Sequence, residues 1–149
     1  IMDSAQLVKH FPQKNLKILD VGTGGGFPGI VISILTKNKL FLMESSKKKC
    51  KFLQEVIDLI DLKAEVCCDR VEKLPFLKAD IITVRAVASI DKLLKLLEKQ
   101  IHKDASFFFF KGKNYKKELS FINEWPSLNF ELIPSITDIN ASIIKINVK

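Results

Sequence analysis

The chain of 149 residues lacks long apolar runs, and none approaches the roughly 18 consecutive apolar residues that indicate a membrane-spanning helix. No secretory signal peptide is recognisable at its start. Low-complexity tracts are missing as well, and 47% of the residues are hydrophobic, which argues against a disordered protein. We therefore expect one folded domain over residues 1–149, with no membrane as a partner.

Cysteine is scarce, with Cys50, Cys67 and Cys68 the only three in the sequence. They show neither the CxxC spacing nor the mixed Cys/His spacing typical of zinc sites, so we predict no bound metal. An odd number of cysteines without a disulfide framework indicates a reducing compartment, and we expect the protein in the cytoplasm.

Arginine is scarcer still, because Lys and Arg together number 24 and only Arg70 and Arg85 are arginines. The formal net charge of +7 indicates an anionic partner, with nucleic acid as the first candidate, although a solvated basic surface gives the same charge. A guanidinium group offers a flat, two-pronged donor that ammonium cannot replace. Each arginine in so lysine-rich a chain is therefore informative.

What the sequence does contain is an alternation of short apolar segments, typical of buried strands, with segments of helical period. In the segment 46–60, for example, apolar pairs recur every three to four residues. This alternation predicts an α/β fold with a mostly parallel, seven-stranded, Rossmann-like sheet, an antiparallel final strand and helices on both faces. The predicted strands cover residues 16–21, 40–43, 65–68, 80–84, 105–110, 130–134 and 142–148, and the predicted helices cover 27–35, 46–60, 90–97 and 115–125.

A glycine-rich segment, DVGTGGGFPG at 20–29, ends the first predicted strand and opens the helix after it. Ligands of open α/β sheets bind at the carboxyl ends of the strands, near the point where the strand order reverses. Glycines there let the backbone turn sharply and let a ligand approach without meeting a Cβ atom. The segment therefore predicts a ligand-binding loop.

Two classes of protein use such a loop. By spacing alone, Gly24, Gly26 and Gly29 match the GxGxxG of dinucleotide-binding enzymes, which would make the chain a nicotinamide-dependent oxidoreductase. The spacing Asp20-x-Gly22-x-Gly24-x-Gly26 matches the acidic loop of class I methyltransferases that use S-adenosylmethionine. Asp20 favours the methyltransferase, because a carboxylate suits the ammonium and sulfonium charges of that cofactor and would repel a pyrophosphate.

Polar residues follow the second and third predicted strands as well. Glu44 stands where a carboxylate would bind both ribose hydroxyls, and Ser45 and Ser46 come directly after it. The alternative is that Glu44 is an exposed side chain and that Ser46 only caps the next helix. The segment 69–72, with Val71 and Glu72, stands where methyltransferases of this class contact adenine, or else forms a solvated turn.

Basic residues follow the fourth and fifth strands. The chain lacks the Asn/Asp-Pro-Pro-Tyr motif of many enzymes that methylate amines, and Arg85 stands in that region instead. Arg85 could anchor the methionine carboxylate, an RNA phosphate or a guanine O6. Lys111 and Lys113 end the fifth strand on the same rim and are candidates for RNA contact, although such a basic cluster alone is more typical of a solvated face.

Five ordered motifs together resemble the RsmG/GidB family, the bacterial methyltransferases that modify guanine N7 in small-subunit (16S) ribosomal RNA. They are DVGTGGGFPGI at 20–30, FLMESSKKKCKFL at 41–53, DRVEKL at 69–74, TVRAVASI at 83–90 and FFKGK at 109–113. The opening residues 1–4 also match the segment that precedes the family's first core strand. The resemblance implies an N-terminal helical region that this sequence does not contain.

The resemblance also implies S-adenosylmethionine as the cofactor, with contacts at Gly22, Phe27, Glu44, Ser45, Ser46, Val71, Glu72 and Arg85. Guanine N7 carries a free lone pair, so no general base is needed, and catalysis rests on alignment of the reactants. That agrees with a sequence whose two histidines lie outside the motifs, and it leaves Arg85 as the candidate catalytic residue.

The resemblance names 16S rRNA, in the small ribosomal subunit or its assembly precursor, as the partner, and we expect a monomer. Three alternatives stay open from the residues alone. They are a methyltransferase with a small-molecule or protein acceptor, a nicotinamide-dependent oxidoreductase, and an RNA-binding module without catalysis.

Overall fold

The computed structural model describes residues 2–11, 15–85 and 88–149, and at positions 121 and 122 it describes the backbone only. Helices and strands alternate along most of the chain. In order they are α1 (Met2–Leu7), β1 (Lys17–Val21), α2 (Gly29–Thr36), β2 (Lys39–Met43), α3 (Lys47–Leu59), β3 (Ala64–Cys67), β4 (Ile81–Val84), α4 (Ile90–Leu96), β5 (Ser106–Lys111), α5 (Tyr115–Glu118), β6 (Leu128–Pro134) and β7 (Ser142–Val148).

The strands form one seven-stranded sheet in the order β3-β2-β1-β4-β5-β7-β6. Neighbouring strands are parallel from β3 to β5, whereas β7 runs antiparallel to both β5 and β6. The strand order reverses between β1 and β4, which is where open α/β sheets bind ligands. The predicted fold class is confirmed.

Apolar residues cover both faces of the sheet. Phe107 and Phe109 face one side with α4, while Phe108 faces the other side with α1, α2 and α3, and all three phenylalanines are fully buried. A strand covered on both faces can be apolar at every position, which explains the continuous run at 107–110. The burial of Cys50, Leu53 and Ile57 gives α3 the single apolar stripe expected of a helix on a sheet.

The segment 115–125 differs from the single helix predicted there. Only Tyr115–Glu118 is α-helical, and Leu119–Asn123 forms a 3-10 helix. Tyr115, Leu119 and Trp125 all pack against the core, and the last two are six residues apart, which no face of a straight α-helix accommodates. The tighter turn brings Trp125 to the core. The helix α1 was not predicted.

Two of the three cysteines are paired, which differs from the expectation of no disulfide framework. Cys50 in α3 and Cys68 after β3 form a disulfide with 5.9 Å between their Cα atoms. Cys67 is free and half-buried. The disulfide joins the first turns that follow β2 and β3. No helix in the described ranges combines the length and apolar character needed to cross a membrane.

Candidate active site

The loop after β1 depends on its glycines. Gly22, Gly24 and Gly26 have φ values of 67°, 56° and 92°, in the left-handed region that side chains disfavour. The amide of Gly22 donates to the carbonyl of Met43 at 2.9 Å, which fixes the start of the loop to the end of β2. A Cβ atom at Gly26 would overlap the side chain of Ile30, so this glycine serves the packing of the loop on α2.

Asp20 lies beneath this loop and is fully buried. Its Oδ1 accepts a hydrogen bond from the Thr83 hydroxyl at 2.7 Å, and its Oδ2 accepts one from the Gly29 amide at 3.0 Å. Burial raises the pKa of Asp20 to about 6, although these hydrogen bonds and the charge of Arg85 act in the opposite direction. Both oxygens brace β1, β4 and α2, and Asp20 does not line the cavities beside the loop, so its contact with the cofactor stays a prediction.

Glu44 is buried at the end of β2, so the alternative of an exposed side chain is wrong. Its Oε2 accepts a hydrogen bond from the Gly24 amide at 3.0 Å, and its Oε1 accepts one from the Ser46 amide at 3.0 Å. An ionised carboxylate has about four lone-pair sites, so further acceptor capacity remains for a ligand. Ser46 occupies the N-cap position of α3 but contributes its main chain to this bond.

Two cavities adjoin the glycine loop and meet at Gly22. The first, called here the Glu44 cavity, has a volume of about 400 Å³ and is lined by Val21, Gly22, Met43, Glu44, Ser45, Asp69, Arg70, Val71, Glu72 and Leu96. The second, called the Gly24 cavity, has a volume of about 450 Å³ and is lined by Gly22, Thr23, Gly24, Gly25, Phe27, Arg85 and Phe110. Together they form one cleft along the carboxyl ends of β1, β2 and β4, with volumes typical of small-molecule sites.

Most of the predicted cofactor residues line this cleft. Those that do are Gly22, Gly24, Phe27, Glu44, Ser45, Val71, Glu72 and Arg85. Ser46 supports Glu44, while Asp20 and Gly26 lie behind the loop. Phe110 also lines the cleft and was not among the predicted residues, although its place at the end of the phenylalanine run, where β5 reaches the rim, was an available signal.

Arg85 is exposed directly after β4 and lines two cavities. Besides the Gly24 cavity it lines a third one of about 260 Å³, called here the Asp3 cavity. Arg85 and Phe110 are common to both, so they form the boundary between the two. Positions 86 and 87 of the predicted motif lie outside the described residues.

Lys111 is not at the surface, in contrast to its predicted place in an RNA contact. Its side chain is only 4% exposed, and its ammonium lies 3.0 Å from the Glu118 carboxylate. It also donates a hydrogen bond to the carbonyl of Ala88. The same Glu118 carboxylate accepts the amide of Ile90 at the start of α4, so Lys111 neutralises a charge that holds α4 and α5 together.

Exposed lysines flank the cleft on two sides. Lys113 follows β5 and is exposed, as are Lys116 and Lys117 in α5. The first turn of α3, after β2, carries three more exposed lysines, at 47–49. Because the carboxyl ends of parallel strands share one edge of the sheet, both groups lie at the edge that holds the cleft.

Comparisons with known proteins identify relatives along nearly the whole chain. The family model GidB, described as rRNA small subunit methyltransferase G, matches residues 1–133. The chain is 36% identical over 148 residues to Ribosomal RNA small subunit methyltransferase G of Orientia tsutsugamushi (strain Ikeda), covering 99% of this chain and 74% of that protein. It is 37% identical over 147 residues to the protein of the same name from Gluconobacter oxydans (strain 621H), covering 99% and 76%.

Solved structures share the fold. A ribosomal protein L11 methylase from Lactobacillus delbrueckii subsp. bulgaricus superposes with a TM-score of 0.80 at 17% identity, covering 98% of this chain and 76% of that one. A SAM dependent methyltransferase from Aquifex aeolicus superposes with a TM-score of 0.76 at 18% identity, covering 99% and 90%. At these identities the likeness shows the fold alone.

These findings confirm the predicted resemblance, and with it an enzyme that depends on S-adenosylmethionine, and they do not favour the alternative of a nicotinamide-dependent oxidoreductase. The chain spans about three quarters of the length of the two relatives named above. Because a family model matches most of its residues and these relatives match nearly all of them, the chain belongs to the GidB family of small-subunit rRNA methyltransferases.

Proposed function

We propose that this protein transfers the methyl group of S-adenosylmethionine to N7 of a guanine in 16S ribosomal RNA. The observation that carries the proposal is the Glu44 carboxylate, which is buried, oriented by the amides of Gly24 and Ser46, and placed on the wall of the cleft. A carboxylate held in this way is suited to accept hydrogen bonds from the two hydroxyls of a ribose.

The residues of the cleft fit S-adenosylmethionine along its length. Glu44 would hold the ribose, Val71 and Glu72 would contact the adenine, and Gly24 and Phe27 would enclose the methionine part. The left-handed glycines leave no Cβ atom between the loop and a ligand in the Gly24 cavity. When bound, the cofactor supplies an activated methyl group on its sulfonium sulfur.

Arg85 has the central place in the proposed reaction, because it stands where the Gly24 and Asp3 cavities meet. Its guanidinium can orient the methionine carboxylate on one side and the acceptor base on the other. Guanine N7 attacks through a lone pair that is free at neutral pH, so the residues need only to align the reactants and exclude water. The position of His102 is consistent with a reaction that needs no general base, because its ring nitrogen is hydrogen-bonded to the carbonyl of Ala79, just before β4 and away from the cleft.

The exposed lysines supply the contact to RNA in this proposal. Lys113, Lys116 and Lys117 on one side of the cleft and residues 47–49 on the other would bind phosphates of the 16S rRNA. Lys111 is left out, because its ammonium is buried against Glu118. We further propose that the substrate is the small ribosomal subunit or its assembly precursor, and that the enzyme acts as a cytoplasmic monomer.

The test has two stages. Calorimetry measures binding of S-adenosylmethionine and S-adenosylhomocysteine, with NADH as the control ligand, and we expect micromolar binding of the first two only. Methyl transfer is then assayed on 16S rRNA and on purified small subunits, with 7-methylguanosine identified by mass spectrometry. Binding of NADH alone would overturn the proposal. Cofactor binding with transfer only to protein would overturn the RNA acceptor.

A further inference from the structure

The Asp3 cavity adjoins the cofactor cleft. It shares Arg85 and Phe110 with the Gly24 cavity, and part of its lining comes from the connection between β6 and β7, at 135–141. Ser135, Thr137 and Asp138 of this connection all line the cavity. A molecule in the Asp3 cavity would therefore have one edge toward the cleft and another edge toward the β6–β7 connection.

The β6–β7 connection is fixed by helix α1. The Asp3 carboxylate accepts hydrogen bonds from the Ser135 hydroxyl at 2.7 Å, the Thr137 hydroxyl at 2.8 Å and the Ile136 amide at 3.0 Å. Gln6, one turn further along α1, donates from its Nε2 to the carbonyl of Pro134 at 3.0 Å. These contacts of Asp3 and Gln6 are called here the α1 latch.

The connection also has its own turn, which orients it toward Asp3. The Ser135 Oγ accepts the amides of Thr137 and Asp138, each at 3.1 Å, so its hydroxyl hydrogen remains to be donated to Asp3. The segment 135–138 is therefore held as a unit, and both Asp3 and Gln6 fix its position against α1. Hydrogen bonds to an ionised acceptor are stronger than neutral ones, so Asp3 is the main anchor.

Asp138 presents the chemistry that selects a guanine. It is exposed, and its Oδ1 accepts the Asn140 amide at 2.9 Å, which orients the carboxylate and leaves acceptor sites free. Guanine carries two adjacent donors, N1–H and the 2-amino group, on the edge opposite N7, and a carboxylate matches both. Adenine has no donor at N1, and a carboxylate opposite it would be left unpaired.

We propose that the Asp3 cavity receives the acceptor guanine, that Asp138 recognises its N1–H and 2-amino group, and that Asp3 is a positioning residue that places Asp138. The base then lies with its O6 and N7 toward Arg85 and the cofactor cleft, and with its donor edge toward Asp138. Phe110, at the boundary, offers a ring face for stacking, as sites for extruded bases commonly do. This inference rests on the proposed function and deepens it.

The experiment compares Asp138→Asn and Asp3→Asn with Asp58→Asn as the matched control, since Asp58 is exposed in the last turns of α3, away from both cavities. The target position is first mapped with the wild-type protein, and two RNA substrates are then prepared, with guanosine or inosine at that position. Inosine lacks the 2-amino group but keeps N7 and O6. Binding of S-adenosylmethionine is measured for every variant as a check on the cleft.

For Asp138→Asn we expect kcat/KM on guanosine RNA to fall about 10- to 100-fold, the effect of losing a hydrogen bond to a charged group. The ratio of guanosine to inosine turnover should move toward one, and cofactor affinity should stay at the wild-type value. For Asp3→Asn we expect a several-fold increase in KM for RNA with little change in kcat, and the same shift in the ratio. Thr137→Val, which removes one bond of the latch, should give a smaller shift in the same direction.

A wild-type guanosine to inosine ratio in Asp138→Asn would overturn this inference alone, because cofactor binding and methylation would persist. The inference would also be overturned if the Asp3→Asn variant bound the cofactor and had the same KM for RNA as the Asp58→Asn control. Failure of the wild-type protein to bind S-adenosylmethionine or to methylate the RNA would instead overturn the proposed function.

Discussion

The cofactor cleft and the Asp3 cavity adjoin each other but are built in different ways. The cleft is made by loops that follow consecutive strands, and its hydrogen bonds join main-chain amides to buried carboxylates between 2 and 20 residues apart. The Asp3 cavity depends on side chains near both ends of the chain, since Asp3 bonds residues 132 to 134 positions away. The cleft depends on main-chain contacts between residues close in the sequence, so its residues could be predicted from sequence motifs. The Asp3 cavity depends on contacts between residues far apart in the sequence and could not be predicted in this way.

We expect the largest effect, on cofactor affinity, from removing the Glu44 carboxylate. Glu44→Ala removes the acceptor for the Gly24 and Ser46 amides together with the proposed ribose contact. We expect affinity for S-adenosylmethionine to fall by about 100-fold or more, because buried donors lose a charged partner. Calorimetry measures it, with Glu55→Ala, an exposed residue of α3, as the control. Equal affinities for the two variants would remove Glu44 from the site.

Substitutions at two glycines test the packing beneath the cleft. A Cβ atom at Gly29 would lie 2.7 Å from both the Asp20 Oδ2 and the Leu42 Cδ2, whereas one at Gly25 would meet nothing closer than 3.9 Å. We expect Gly29→Ala to lower the free energy of unfolding by about 3 kcal/mol through overpacking, and Gly25→Ala to change it little. Urea denaturation compares them. Similar stabilities would mean that α2 shifts to admit the methyl group.

The burial of Asp20 beneath the cleft should make the free energy of unfolding depend on pH. Burial raises the pKa of Asp20 from 3.8 to about 6, so the folded state keeps a proton that the unfolded state has already released. The free energy of unfolding should therefore fall as pH rises from about 4 to 6, by on the order of 2 kcal/mol, and level off above. Asp20→Asn can still accept the Gly29 amide and should abolish this fall. A wild-type pH profile in that variant, recorded by urea denaturation, would contradict the argument.

The smallest effect is expected at the lysines beside the cleft. Lys113→Ala should weaken RNA binding only a few-fold, and should reduce the slope of log affinity against log salt by about one, because one phosphate contact is lost. Lys63→Ala is the control, since Lys63 is exposed just before β3, at the opposite edge of the sheet. Filter binding at several salt concentrations measures both. Equal slopes for the two variants would mean that Lys113 does not contact a phosphate of the RNA.

The fold and the cofactor cleft were largely predictable from the sequence, for physical reasons. Strand limits were correct to one or two residues, because an apolar segment bounded by polar residues corresponds to a buried strand. Glycine spacing identified the loop, since the left-handed φ values at Gly22 and Gly24 favour glycine. The short 3-10 helix at Leu119–Asn123 was missed because packing of Trp125 overrides the local helical pattern.

Side-chain direction is the feature of the site that the sequence pattern does not give. Asp20 and Lys111 both stand at the rim in the sequence pattern, yet Asp20 lies under the loop and Lys111 pairs with Glu118. Asp20 binds a hydroxyl 63 positions away, at Thr83, whereas Lys111 pairs with Glu118 in the next helix along the chain. Sequence spacing gives the strand end on which such a residue stands, but the tertiary partner decides which way its charge faces.

The position of β7 in the sheet has a consequence for the order of assembly. Among the described residues, β7 lies between β5 and β6, and it is β7 that joins β6 to the rest of the sheet. During synthesis from the N-terminus, the residues of the cofactor cleft leave the ribosome long before this strand does. The α1 latch closes a loop of more than 130 residues and cannot form until β7 has entered the sheet. The proposed site for the acceptor base therefore forms after the residues of the cofactor cleft have been synthesised, once β7 has joined the sheet.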